Sequence, residues 1–234
     1  MSFLAELQIR TLGPVKIWQR QFDVSQYSDS HSSELAIELP QEMNRAVPKR
    51  KAEFTAGRVV AREALQDLGV IHTKLPIGEH RAPIWPKGYL GSISHTDNLA
   101  LATVAHDSEV SMLGLDVENL IDESQVQTLM PMFVSDAEMD WQQASGLTPQ
   151  QFATLIFSAK ESVFKAIYPY VKNYLEFSDS ILINVDVESG TLQLQLCNQA
   201  ERLFGEPLIL KVYFTFEAES IFTLICDHRK HRLI

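Results

Sequence analysis

Asp116 and Glu118, Lys160 with Glu161 and Lys165, and Ser94 with His95 are the residues of this 234-residue chain whose types and spacing could do chemistry. They lie in three short runs: Gly114-Leu115-Asp116-Val117-Glu118, Phe157-Ser158-Ala159-Lys160-Glu161-Ser162-Val163-Phe164-Lys165, and Gly91-Ser92-Ile93-Ser94-His95. Three carboxylates, two lysines and a histidine suit a divalent cation held against a polyphosphate. Magnesium prefers an octahedron of oxygens, keeps several waters, and takes few protein carboxylates alongside substrate phosphates. Glu161 could give a third oxygen or stand beside the ion as a base. A histidine that closes a strand can bind phosphate when protonated.

Each feature also has a plain alternative. Two acids alternating along a strand are commonly the solvent face of an edge strand. Glu161 four residues before Lys165 is the favoured helix-surface pair, worth about 0.2–0.5 kcal/mol. A histidine such as His95 is often structural. The combination is what favours chemistry, together with small Ser158 and Ala159, which let a ligand or another backbone approach closely.

The elements that must position these groups follow from pattern. Leu113, Leu115 and Val117 alternate with Gly114, Asp116 and Glu118, so a strand over 112–118 puts both acids on one face. Strands are also expected over 92–94 and 99–105. Thr148 as N-cap, Pro149 at the first position and Gln151 closing a capping box start a helix. Phe152, Leu155, Ile156, Ala159, Val163, Ala166 and Ile167 form its buried face, Ser158, Glu161 and Lys165 its polar stripe, and Pro169 is expected to end it. A second helix spans 50–68, with Gly69 just past its end. Its Lys51, Thr55, Arg58 and Arg62 make a basic stripe, which by itself reads as a solvated surface. Residues 78–91 carry prolines and glycines that forbid a helix and make an ordered loop anchored by Trp85. Residues 1–45 read as short strands and loops, and 121–146 as helix and loop. Residues 181–187, 191–197, 208–216 and 220–226 read as a meander of strands turning at Gly190. The basic ending from His228 reads as a solvated tail.

Composition narrows the class. At 45% hydrophobic residues the chain can build one large core or two small ones. No apolar run reaches the roughly 18 residues that span a bilayer. The start shows no basic stretch followed by an apolar one, so no secretory signal is read there. Cys197 and Cys226 read as buried thiols in a reducing compartment, without the spacing of a zinc site. The net charge of -10 argues against a nucleic-acid binder. Cations nonetheless cluster at Lys49, Arg50, Lys51, Arg58, Arg62 and Arg81, as a pocket for a phosphate-bearing molecule requires.

These runs, with Gly57-Arg58 and residues 78–86, resemble the 4'-phosphopantetheinyl transferases of the surfactin-synthetase type, and most closely the subgroup that activates siderophore synthetases. The match covers about half the chain, in four motifs in order. The resemblance implies an α+β fold of two similar α/β subdomains related by a pseudo-twofold axis, each a small antiparallel sheet packed with helices. Here they would be residues 1–112 and 113–234, with coenzyme A in the cleft. It implies a magnesium-dependent transfer of the phosphopantetheine arm of coenzyme A to a serine of an apo acyl, aryl or peptidyl carrier protein, releasing adenosine 3',5'-bisphosphate. Asp116, Glu118 and Glu161 would hold magnesium, and Lys160 and Lys165 would neutralise phosphates. Arg58, Arg81, Ser94 and His95 would hold the nucleotide end, with one of Lys49, Arg50 and Lys51 beside them, and Glu138 would lend acid–base help. The expected protein is a cytoplasmic monomer. Leu129-Met130-Pro131-Met132-Phe133 is the expected carrier-docking patch, with core packing as its plain alternative.

Two rivals remain. A hydrolase on Ser94, His95 and Asp116 fails, because strand neighbours point to opposite faces and Gly-x-Ser-x-Gly is absent. A non-catalytic nucleotide- or carrier-binding module would not require all three acids and both lysines.

Overall fold

The computed structural model describes residues 2–71, 73–204 and 207–228. The basic run from Arg229 to Arg232 lies outside the described residues. The chain divides into two compact units, one of Met1–Thr11 with Val15–Asp107 and the other of Leu12–Pro14 with Ser108–Ile234.

In the first unit the strands β1 (Gln8–Leu12), β2 (Val15–Gln21), β3 (Tyr89–His95) and β4 (Leu99–His106) form a sheet in the order β1-β2-β4-β3. A short helix α1 (Asp29–Glu34) precedes the long helix α2 (Pro48–Asp67). Ala52, Ala56, Val60, Ala61, Ala64 and Leu65 of α2 pack on Trp18, Phe22, Ala100 and Ala102 of the sheet. Small residues along that helix face let it lie close to the strands. Gly69, at φ +80, follows the helix end as expected.

The basic stripe on α2 is not a solvated surface. Thr55 is fully buried, Arg58 is 6% exposed and Lys51 is 9% exposed. The reason is α1 and the segment around it, which the sequence pattern did not reveal as a cover. Lys51 Nζ donates to both oxygens of Asp29 on α1, at 3.1 and 2.9 Å. Thr55 shares a hydroxyl cluster with Ser32 and Tyr27. In the loop over 78–88 a single 3-10 turn forms at Glu79–Arg81. Trp85 anchors it by lying where a side chain on Gly91 would be, 2.5 Å from the position of a Cβ.

The second unit holds β5 (Met112–Asn119), α3 (Glu123–Leu129), α4 (Asp136–Ser145), α5 (Pro149–Val171), β6 (Ser180–Asp186), β7 (Thr191–Leu196), α6 (Asn198–Phe204), β8 (Ile209–Glu217) and β9 (Ser220–Asp227). Its sheet runs β5-β9-β8-β7-β6. The expected meander is present, with Gly190 at φ +62 in its turn. α6 had no pattern strong enough to announce it, and it buries Ala200 and Phe204. Two antiparallel sheets packed with helices are the architecture the resemblance implies.

α5 begins with Thr148 accepting from Gln151 N at 3.2 Å and Gln151 Oε1 accepting in return from Thr148 N at 3.1 Å. Pro169 does not end it. The proline removes one main-chain donor, but Tyr170 and Val171 pack against the core and carry the helix a further turn to Lys172. Cys226 is buried and Cys197 half-buried, both as free thiols.

Helix α5 lies unusually close to β5. A Cβ on Gly114 would sit 2.0 Å from the carbonyl oxygen of Ser162 and 2.8 Å from the amide of Ala166. Only a glycine permits this contact. Gly114→Ala should therefore cost at least about 1–3 kcal/mol by forcing helix and strand apart, read as a lowered melting temperature. An unchanged melting curve would show that the helix has room to retreat.

Candidate active site

A pocket of about 400 Å³ opens in the first unit. α2 supplies Arg50, Glu53, Phe54, Gly57 and Arg58, β3 supplies Ile93 and His95, and the 78–83 loop supplies Gly78, Arg81 and Pro83. Four residues expected at a nucleotide end, Arg50, Arg58, Arg81 and His95, thus meet on one concave wall. Ser94 is not on it. His95 and Ile93 face the pocket, so the pleat turns Ser94 to the other face of β3, where it is 6% exposed.

The consecutive cations Lys49, Arg50 and Lys51 have different surroundings. Lys49 pairs with Asp97 at the surface, Lys51 turns to Asp29, and Arg50 lines the pocket. Arg50 Nη1 lies 3.3 Å from His95 Nε2 and 3.5 Å from Glu53 Oε2. Glu53, 8% exposed, also lies 3.9 Å from His95. This carboxylate lies against both Arg50 and His95 in an otherwise basic pocket. It had a legible signal, its place three residues after Arg50 on a helix.

Arg58 is the most unusual group here. Its side chain lies over the Phe54 ring, with Cζ 5.0 Å from the centroid. Its Nη1 is buried with no hydrogen-bond partner. Burial pulls the guanidinium down from its ordinary value to about 10. A buried, incompletely bonded cation is costly, and an anionic ligand would offset that cost. Phe54 and Arg58 also border a second hollow of about 700 Å³ lined by Leu39, Arg62, Lys74 and Leu75.

In the second unit Asp116 meets Lys165 and Ser158 where α5 covers β5. Asp116 is 2% exposed. Lys165 Nζ donates to its Oδ1 at 2.6 Å and to the carbonyl of Leu115 at 3.1 Å. Ser158 Oγ donates to its Oδ2 at 2.7 Å. The face bearing Asp116 is therefore helix-covered, although β5 is an edge strand of its sheet. Glu118 follows on the same side by alternation, partly exposed near the strand end. The Glu161 carboxyl is pushed up by burial and by the charge of Asp116, with Lys165 opposing.

Lys165 thus binds Asp116 rather than acting as a bystander on the helix surface. Among the described residues no set of three or more His, Cys, Asp or Glu side chains is gathered so as to hold a metal ion. A three-carboxylate cage is not preassembled. The donor set still fits magnesium, which needs one or two carboxylates and draws its other oxygens from water and substrate phosphate. Burial pushes the Glu161 carboxyl up, a cost to its charged form that a cation would relieve.

Lys160 and Glu138 are placed elsewhere. They form a buried ion pair of 2.9 Å, with side chains 3% and 1% exposed. Glu138 also accepts from Ser135 N and Oγ at the start of α4 and from Leu182 N on β6, each at 2.8 Å. Both its oxygens accept hydrogen bonds, which brace α4, β6 and α5 together. Burial draws the Lys160 ammonium down, with Glu138 pulling the other way. Neighbours in the sequence, Lys160 and Glu161 point to different surroundings because 100° of helix separates them.

The hydroxyl partners of Asp116 were not foreseen. Thr223 faces Asp116 across the β5–β9 pair, a juxtaposition that only the strand register creates.

Comparison with known proteins bears on these residues. Residues 39–105 match the 4'-phosphopantetheinyl transferase N-terminal domain, and residues 112–209 match the 4'-phosphopantetheinyl transferase superfamily. The chain is 35% identical over 177 residues to 4'-phosphopantetheinyl transferase Svp of Streptomyces mobaraensis, covering 73% of this chain and 70% of that one. It is 42% identical over 119 residues to enterobactin synthase component D of Salmonella typhi, covering 50% of this chain and 48% of the relative. For enterobactin synthase component D of Escherichia coli (strain K12) the identity is 38% over 126 residues, covering 53% and 58%. The alignments with the enterobactin components thus span about half the length of those relatives.

Proposed function

Because the chain belongs to the 4'-phosphopantetheinyl transferase family, we propose that it moves the phosphopantetheine arm of coenzyme A to a serine of an apo carrier protein, with magnesium, and releases adenosine 3',5'-bisphosphate. What supports a coenzyme A substrate most directly is the basic pocket of the first unit, where Arg50, Arg58, Arg81 and His95 share one wall. Its unpartnered, buried Arg58 nitrogen suits the 3'-phosphate.

The carrier serine oxygen bonds to the β-phosphorus as the bond from that phosphorus to the leaving bisphosphate breaks, and the serine proton passes to a base. Charge spreads over the phosphoryl oxygens, so positioning and cations supply most of the acceleration. Asp116 and Glu118 on β5 would hold magnesium, with Glu161 beside them. Bound there, the ion would supply Lewis-acid neutralisation of the diphosphate. Lys165, bound to Asp116, would neutralise phosphate oxygens. Glu161 is the candidate base, because burial and Asp116 raise its affinity for a proton. Lys160 would act through Glu138, holding α5 in place.

The docking surface for the carrier is proposed at the end of α3. Met132 is 70% exposed, whereas Phe133 is 6% exposed and belongs to the core. The patch is thus smaller than its five-residue run. Met132→Asp should weaken carrier affinity about tenfold, since carriers are acidic and dock through apolar faces, while coenzyme A affinity stays unchanged. Titrations in which neither ligand responds would move the surface elsewhere.

The decisive experiment incubates the protein with coenzyme A, magnesium and an apo carrier and weighs the carrier by mass spectrometry. A single added arm that requires metal is expected. A carrier of unchanged mass would favour the binding-module alternative. No helix among the described residues is long and apolar enough to cross a membrane.

A further inference from the structure

We infer that Ser158 and Thr223 are positioning residues that lock Asp116 in the rotamer that receives a cation. This rests on the proposal above that Asp116 holds magnesium. The observation is a chain of hydroxyls between α5 and β9. Ser158 Oγ donates to Asp116 Oδ2 at 2.7 Å and lies 2.9 Å from Thr223 Oγ1. Thr223 Oγ1 lies in turn 2.7 Å from Ser162 Oγ. Each hydroxyl has one proton: that of Thr223 is shared between Ser158 Oγ and the carbonyl of Ser158 at 3.0 Å, and that of Ser162 between Thr223 Oγ1 and the carbonyl of Thr223 at 3.1 Å.

All three hydroxyl residues are fully buried. A buried hydroxyl is costly unless bonded, and alanine or valine would fill the same space without that cost. The layer is therefore not explained by packing. Its bonds lead to one carboxylate. An ionised carboxylate only accepts, so the Ser158 proton must point at Oδ2, and this fixes the χ angles of Asp116. Oδ1 is thereby turned toward the place where the structure already holds a positive charge, the Lys165 ammonium at 2.6 Å. The register that pairs Asp116 with Thr223 and the four-residue spacing of Ser158 and Ser162 on α5 put every member of the chain on rigid elements. Partners of this kind typically change metal affinity by about 10–100-fold.

The test compares Thr223→Val, which keeps the shape and loses the hydroxyl, with Thr223→Ser, which keeps the hydroxyl and loses the methyl. Ser158→Ala accompanies them. Manganese binding to the coenzyme A complex is read by electron paramagnetic resonance of the free ion, and the magnesium requirement of transfer is read alongside. The expected result is metal binding weakened roughly 10-fold or more in Ser158→Ala and Thr223→Val, near wild type in Thr223→Ser, with an unaltered coenzyme A KM at saturating magnesium. A packing role predicts the reverse order, Thr223→Ser worse than Thr223→Val in melting temperature and no change in metal binding, and that result overturns the inference. Asp116→Asn separates the two levels. If it alone loses metal, the metal site stands and the positioning role falls; if it binds metal normally, the site itself is misassigned.

Discussion

Asp116→Asn should lower carrier modification by about 10³-fold, the equivalent of the several kcal/mol that a metal contributes to a transition state of this kind. Asparagine is the informative substitution. Its carbonyl can still accept the Ser158 proton, whereas its amide offers Lys165 a donor instead of an oxygen. Asp116→Ala would do more than remove a ligand. It would leave Lys165 and Ser158 without the carboxylate that both use, and breaking a buried ion pair costs about 3–5 kcal/mol. Lys165 is 25% exposed and can turn toward water, so the loss should fall below that range but remain visible in the melting temperature. Carrier mass at saturating magnesium checks activity, and calorimetry checks the fold. Wild-type turnover in Asp116→Asn would remove the metal assignment.

Arg58→Met should raise the coenzyme A KM by about 10–100-fold, matching the 1.5–3 kcal/mol of a charged hydrogen bond, and should leave dephospho-coenzyme A, which lacks the 3'-phosphate, almost unaffected. The same substitution should stabilise the free protein. Burial lowers Arg58 well below its ordinary value, to about 10, which corresponds to a destabilisation on the order of 3 kcal/mol from the buried charge. The sign follows from proton binding. Between the folded and unfolded values the unfolded chain carries the extra proton, so stability rises with pH there. Below the folded value the full destabilisation applies. The variant should therefore melt about 6–12 °C higher at neutral pH, with the gap closing above pH 10. Equal losses with both substrates would detach Arg58 from the 3'-phosphate. A less stable variant would mean that the guanidinium contributes packing that outweighs its charge.

The carrier-docking and glycine substitutions probe surfaces and packing, whereas these two probe the charges themselves. The difference matters because both charged sites are built from groups that carry a cost in the free protein. Arg58 is buried with an unpartnered nitrogen. The Glu161 carboxyl is pushed up chiefly by burial. A polyanion and a divalent cation would each relieve one of these costs, so ligand binding should raise the melting temperature more than contact area alone would suggest.

What the linear order of residues determined was whatever depends on neighbours within a few positions. The capping box at Thr148, the period of two over 112–118, the glycines at helix and strand ends and the charged motifs all belong to that class, and the structure places helix, strands and turns accordingly. The tertiary structure alone decided the environment of each charge. α2 read as having a solvated basic stripe, and α1 and the hydroxyls of Tyr27 and Ser32 bury it. Glu138 and Lys160 read as chemical groups, and contacts from Ser135 and Leu182 turn them into a brace. Pro169 read as a stop, and core packing of Tyr170 and Val171 carries the helix past it. Thr223 had no signal, because it reaches Asp116 only through the pairing of strands more than a hundred residues apart. Local geometry is set by backbone preferences that each residue carries with it. Burial, ionisation and hydrogen-bond partnership are set by which distant atoms arrive, and no spacing along the chain encodes that.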